Sequence, residues 1–143
     1  MRNKITITYR DLKGEIAEET IWAELVNNEY YKIDNIPFFA PNLAYNDIIS
    51  VEEDDGVLYF NTLIKSSMHT TIQIIFFDRH KESEVLKKIE EMGCAWEGMQ
   101  GGAYYAVDVP PNINYNSIKV FLDEQQQNLV LDYKEACLGN VSK

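Results

Sequence analysis

One of the chain's two histidines, His69, stands among hydroxyl side chains: Ser66, Ser67, Thr70 and Thr71. Histidine titrates near neutral pH and serves as a general base or a metal ligand. A serine nucleophile beside it would need a strained G-x-S-x-G turn and a third group to orient the imidazole. Neither can be identified in the sequence. Two readings of His69 therefore stand side by side: the centre of an enzyme, or a histidine held by structural hydrogen bonds. A serine hydroxyl within reach of the ring, with an acid behind it, would favour the first.

Asp34, Asn35, Asp47 and Glu24 are oxygen donors of the kind a hard cation takes. They lack EF-hand spacing, and Asx turns account for Asp34 and Asn35 equally well, so no metal is expected. Phe38 and Phe39 lie between Pro37 and Pro41. Such a pair is either a pre-ordered, exposed interface anchor or the plug that joins two modules. Trp96, Tyr104 and Tyr105 give a predicted hairpin an aromatic face, the surface on which ferredoxin-like RNA binders stack bases. The basic residues of such binders are missing, so core packing or a homodimer face is the expectation. Asp108 and Glu135 read as charged edges with no further role.

Charge narrows the partners. The net charge is −10, with thirteen Lys and Arg against twenty-three Asp and Glu in 143 residues. Neither half is basic, which argues against nucleic acid and leaves a basic protein as the partner the field would steer in. P-loop, dinucleotide-binding and zincin motifs are all absent, so no cofactor is expected. No apolar run approaches the roughly 18 residues of a membrane span, and residues 1–10 are too polar for a secretory signal. A cytoplasmic protein, monomer or homodimer, is expected. Cys94 and Cys137 have neither zinc-site nor disulfide-framework spacing.

The elements that would position these residues come in two groups. Lys4–Tyr9 and Thr20–Val26 alternate apolar and polar residues, the latter around Ile21, Ala23 and Leu25, as half-buried strands do. Asn27-Asn28 then suits a tight turn before a strand at 30–33. The prolines force a loop over 34–42, and strands at 47–52 and 57–64 flank Asp54-Asp55-Gly56. Five short strands predict a small barrel over residues 1–69.

From Thr70 the pattern changes. Ile72–Phe77 suits a strand buried on both faces. Val85, Leu86, Ile89 and Met92 mark an amphipathic helix closed by Gly93. Strands follow at 94–99 and 103–109, then a helix capped by Asn114 with Ile118, Phe121 and Leu122 inward. A strand around Leu129, Leu131 and Tyr133 closes the series. The order β-α-β-β-α-β predicts a ferredoxin-like module over 70–138, with a tail at 139–143 and an α+β fold overall. Its usual strand order puts Cys94 and Cys137 near opposite edges, too far apart to bridge.

Trp22-Ala23-Glu24, the run Tyr31 to Ala40 around Asp34-Asn35-Ile36-Pro37-Phe38, and Asn46-Asp47 resemble a bacterial family, domain of unknown function 4265. Ser67–Thr71, Gly93-Cys94, Ala106–Pro110 and Glu135–Cys137 continue the resemblance over about residues 20–138. Met68 stands where the family pattern has Gly, and Thr70 where it has Ser. The resemblance implies a shared fold and brings no activity, substrate or cofactor. The candidate binding set is thus Trp22, Glu24, Asp34, Asn35, Phe38, Phe39, Asp47 and His69. A non-catalytic acidic interaction module is the first functional expectation, with an immunity-type inhibitor of a basic toxin as its specific form. A small-ligand-sensing regulatory module and an enzyme centred on His69 are the alternatives.

Overall fold

The computed structural model describes residues 2–139. Of the predicted C-terminal tail, all but Gly139 therefore lies outside the described residues. Two sheets divide the chain between Lys65 and Thr70.

The first contains β1 (Arg2–Arg10), β2 (Ile16–Val26), β3 (Tyr30–Ile33), β4 (Ile48–Asp54) and β5 (Val57–Lys65), each antiparallel to the next. A parallel pair, Thr6 with Tyr59, closes the sheet on itself, so it forms a closed barrel without a free edge. Alternation fills its interior: Ile5, Ile7, Ile21, Ala23, Ile33 and Ile49 are buried. Turn chemistry sets the registers. Asn27 and Asn28 take φ of 55° and 59°, and Asp55 and Gly56 take 53° and 82°, the left-handed pairs that match the strands' twist.

Two expectations are corrected here. β2 starts at Ile16, four residues earlier than alternation suggests, because it pairs with β1 as far as Arg10. Leu25, in phase with Ile21 and Ala23, is 42% exposed because it lies near the turn end of the strand, paired with Tyr31.

The second sheet holds β6 (Thr70–Phe76), β7 (Ala95–Gly98), β8 (Tyr104–Val109) and β9 (Leu131–Cys137) in the order β7-β8-β6-β9. All its pairings are antiparallel. Helix α1 (Glu82–Glu91) joins β6 to β7, and α2 (Tyr115–Gln127) joins β8 to β9. The helices cover one face, where Ile72, Ile74, Val107 and Leu131 meet Val85, Ile89, Ile118 and Leu122. Asn114 caps α2 through its side chain, accepting the Asn116 N–H.

Both helices end in the same paired 6→1 and 5→2 bonds, Cys94 to Ile89 with Gly93 to Glu90, and Val130 to Gln125 with Leu129 to Gln126. Gly93 supplies the left-handed residue in the first; Leu129, at φ 60°, does so in the second. Leu129 is therefore not part of the closing strand, as its spacing with Leu131 and Tyr133 suggested. It ends the helix and stands 74% exposed. Similarly, β6 is not buried throughout, since Ile75 is 44% exposed on the helix-free face. Cys94 and Cys137 are free thiols near opposite edges, as the strand order requires.

Candidate binding site between the two sheets

His69 immediately precedes β6, and its Nδ1 lies 2.8 Å from an Asp108 carboxylate oxygen on β8. Both side chains are withdrawn from solvent, at 13% and 6% exposure. Asp108 is thus no idle charged edge. Burial pushes its carboxyl above the ordinary value, and the bond to His69 opposes that rise. Tyr45 packs edge-on to the imidazole with ring centroids 5.5 Å apart.

The serine half of a catalytic arrangement is not at the ring. Ser67 Oγ accepts the backbone N–H of His69 at 3.2 Å and lies 2.7 Å from the Tyr45 carbonyl and 2.9 Å from Asp47. Ser66 Oγ accepts the Met68 N–H. These hydroxyls shape a turn in which Met68 has φ 68°. A glycine takes that backbone without strain.

Asp47, 2% exposed, is a second tie in the same region: it accepts N–H groups from Ala44 and Ser67 at 2.9 and 2.8 Å. Asn35 accepts the Trp22 N–H at 2.7 Å, and Asp34 pairs with Arg2 at 3.1 Å. Glu24 is exposed on β2. The oxygen donors proposed for a cation are therefore dispersed, with Asp34, Asn35 and Asp47 each held by different partners, and no metal-binding group of His, Cys, Asp and Glu occurs among the described residues. The Trp22 indole is 39% exposed beneath Arg2 and Lys4, 4.7 and 5.4 Å from its ring.

Phe38 and Phe39 are half-buried in the segment 34–47 that packs between the sheets. Phe39 stacks nearly parallel to Tyr9 at 6.3 Å and meets Tyr104 at 5.3 Å. The pair is the plug rather than an exposed anchor. Glu19, which sequence reading passed over, holds it: the carboxylate accepts N–H groups from Phe38, Phe39 and Ala40 at 2.7, 3.0 and 2.9 Å. Further bonds reach the second sheet, from Ile36 N–H to Glu97, from Tyr104 hydroxyl to the Phe38 carbonyl and from Asn42 N–H to the Ala136 carbonyl. Glu135, also read as an idle edge, accepts the Tyr115 hydroxyl and pairs with Lys119 at 3.6 Å. Trp96 donates to Glu90 and packs edge-on to Tyr105, so these two aromatics serve packing within the second sheet's layer.

The plug covers only part of the helix-free face. Beside it a groove of about 910 Å³ opens between the β1–β2 hairpin and the second sheet, with Tyr9, Phe39, Tyr104, Gln73, Ile75 and Lys134 among its walls. Gln73 faces Ala106 and Lys134 in register, so the three share the groove side. It is 8% exposed, and its amide nitrogen has no hydrogen-bond partner. A lone polar residue inside the apolar run Ile72–Phe76 was the legible signal for it.

The molecule is thus a mixed α+β protein with a groove between two sheets and, among the described residues, no assembled catalytic triad at His69. It belongs to the family described as Domain of unknown function (DUF4265), whose model matches residues 19–133. The chain is also similar to a solved structure, "Novel crystal structure of a hypothetical protein from Neisseria gonorrhoeae". That likeness has 39% identity and a TM-score of 0.89 over 97% of this chain and 96% of the other. A comparison with curated proteins gave no match. No helix among the described residues is long and apolar enough to cross a membrane.

Proposed function

We propose that the protein is a non-catalytic binding protein that takes a small organic ligand in the groove between its sheets. One observation carries this reading: a concavity of about 910 Å³ lined by Tyr9, Phe39, Tyr104 and Ile75, with Gln73, whose amide nitrogen is unpartnered, among them. Ligand sites are typically clefts of this size with apolar walls and a few polar groups that fix orientation. We read the second sheet as a ferredoxin-like module, from its β-α-β-β-α-β order and its strand order, fused to the small barrel; the groove lies at their seam.

The enzyme reading is the weaker one, because the His69 ring meets an acid and an aromatic edge but no nucleophile. A basic protein partner is favoured by one feature, the run Glu52, Glu53, Asp54 and Asp55, all exposed at the β4–β5 turn. Binding there would weaken steeply with salt and be lost on replacing the four acids with their amides.

The groove is tested by titrating 15N-labelled protein with a mixed-charge fragment library. Shifts clustered on the amides of Gln73, Ile75, Tyr104 and Tyr9 are expected for bound fragments. Hits that cluster elsewhere, or none at all, would remove the groove as the binding site.

A further inference from the structure

We propose that the groove selects a planar aromatic carboxylate, held by its anionic end between Gln73 and Lys134; this rests on the groove being the binding site. The two residues are direct cross-strand partners on β6 and β9, so their side chains leave the same face side by side. The Gln73 amide nitrogen is buried without an acceptor. The terminal torsion of a glutamine is its softest, so a modest rotation about it would let the NH2 meet a ligand in the groove that Gln73 lines. An unmade bond in a buried amide is a cost that a ligand oxygen would remove.

The groups without partners decide which oxygen. Three cations, Arg10, Lys13 and Lys134, and three acids, Asp11, Glu15 and Asp132, line the groove. Two of the acids are already engaged: Asp11 accepts the N–H groups of Lys13 and Glu15, and Asp132 accepts from Gln126 and the Tyr133 N–H. Arg10 donates to the Gly14 carbonyl. Neither Lys13 nor Lys134 has an ion-pair partner among the described residues. The exposed Lys134 side chain, without an ion pair, thus leaves the sheet next to that of Gln73, whose amide nitrogen is uncommitted, and a carboxylate would take charge-assisted bonds from both.

The remainder of the ligand meets the ring wall. Tyr9 and Phe39 are nearly parallel, 8° between planes, and Phe39 and Tyr104 are 33° apart. Ile75 adds an exposed apolar surface. Flat rings gain most against such a wall.

Three probes of one shape separate the terms: indole-3-acetate, its neutral amide indole-3-acetamide, and the cation tryptamine. At physiological salt, amide shifts and calorimetry should show the acetate binding at the groove at least ten-fold tighter than either of the others. Gln73→Leu should lose about ten-fold or more in acetate affinity while melting higher than wild type, because the orphan amide is gone. Lys134→Gln should lose a similar factor with its melting temperature unchanged. Acetamide or tryptamine shifting the same amides as tightly as the acetate would keep the groove as a binding site and overturn the carboxylate. No groove shift from any probe at a few millimolar would overturn the proposal for this ligand class, whatever the fragment library finds. A Gln73→Leu variant that binds the acetate as wild type does would also overturn it.

Discussion

His69 Nδ1 and Asp108 Oδ1 meet at 2.8 Å, tying the residue that precedes β6 to β8, and both side chains are withdrawn from solvent. Removing one member leaves the other buried and unpaired, which costs more than the pair contributes net. Asp108→Ala is expected to destabilise by about 3 kcal/mol in urea unfolding. The His69→Ala, Asp108→Ala double variant should lose clearly less than the sum of the single losses. Strict additivity would show that the two are not coupled.

Glu19 satisfies three consecutive backbone donors of the Pro-Phe-Phe-Ala loop. Glu19→Ala leaves these amides without acceptors and should cost about 2–4 kcal/mol, since hydrogen bonds to charged groups are the stronger kind. Hydrogen exchange localises the effect: protection should fall at Phe38, Phe39 and Ala40 before it falls in β6. Unchanged exchange at those amides would mean that the loop is held by its rings alone.

Met68 sits at φ 68° with 42% of its surface exposed. A non-glycine residue there bears a left-handed strain of about 1 kcal/mol, and little buried contact offsets it. Met68→Gly is expected to raise stability by about 0.5 kcal/mol in spite of glycine's larger unfolded-state entropy. The opposite holds at Gly139, where an added Cβ would stand 2.1 Å from the His69 carbonyl oxygen and 2.7 Å from the Met68 carbonyl carbon. Gly139→Ala should lower the melting temperature, because backbone rather than a flexible side chain must yield.

Burial pushes the Cys94 thiol up to about 12 and Cys137 to about 11 from an ordinary value of 9.0, with the fields of Asp108 and Asp47 adding to the rise. The folded chain then holds these protons where the unfolded chain has released them. Stability is accordingly unaffected by the thiols below about pH 8 and falls as pH climbs from about 9 toward 11. Thermal melts across that range should show the decline, and replacing both cysteines with Ala or Ser should flatten it. At pH 8 a thiol with a pKa of about 11 is only about a thousandth ionised, so alkylation of the native protein should be far slower than that of free cysteine.

Local chemistry made most elements legible. Asn27-Asn28 and Asp55-Gly56 announced their turns, Gly93 and Asn114 their helix ends, and alternation found the interiors of β1 and β2. Leu129 misled because a leucine in a left-handed helix stop looks like the first apolar residue of the next strand. The site was less legible for a different reason. Asp108 lies 39 residues from His69, and Glu19 lies 19 residues or more from the amides it holds. No local period encodes such pairings. Gln73 alone broke the apolar run Ile72–Phe76.

The 34–47 segment also bears on how the chain folds. Its bonds from Ile36 to Glu97 and from Tyr104 to Phe38 span 61 and 66 residues, so they close only after both sheets have begun to form. Contacts of that sequence separation slow folding and bind the two sheets into one cooperative transition. The half-chain that emerges first from the ribosome carries the 34–47 segment before Glu97, Tyr104 and Ala136, which bond to it, have been made. Its window of vulnerability to aggregation would then last until β8 and β9 have been made.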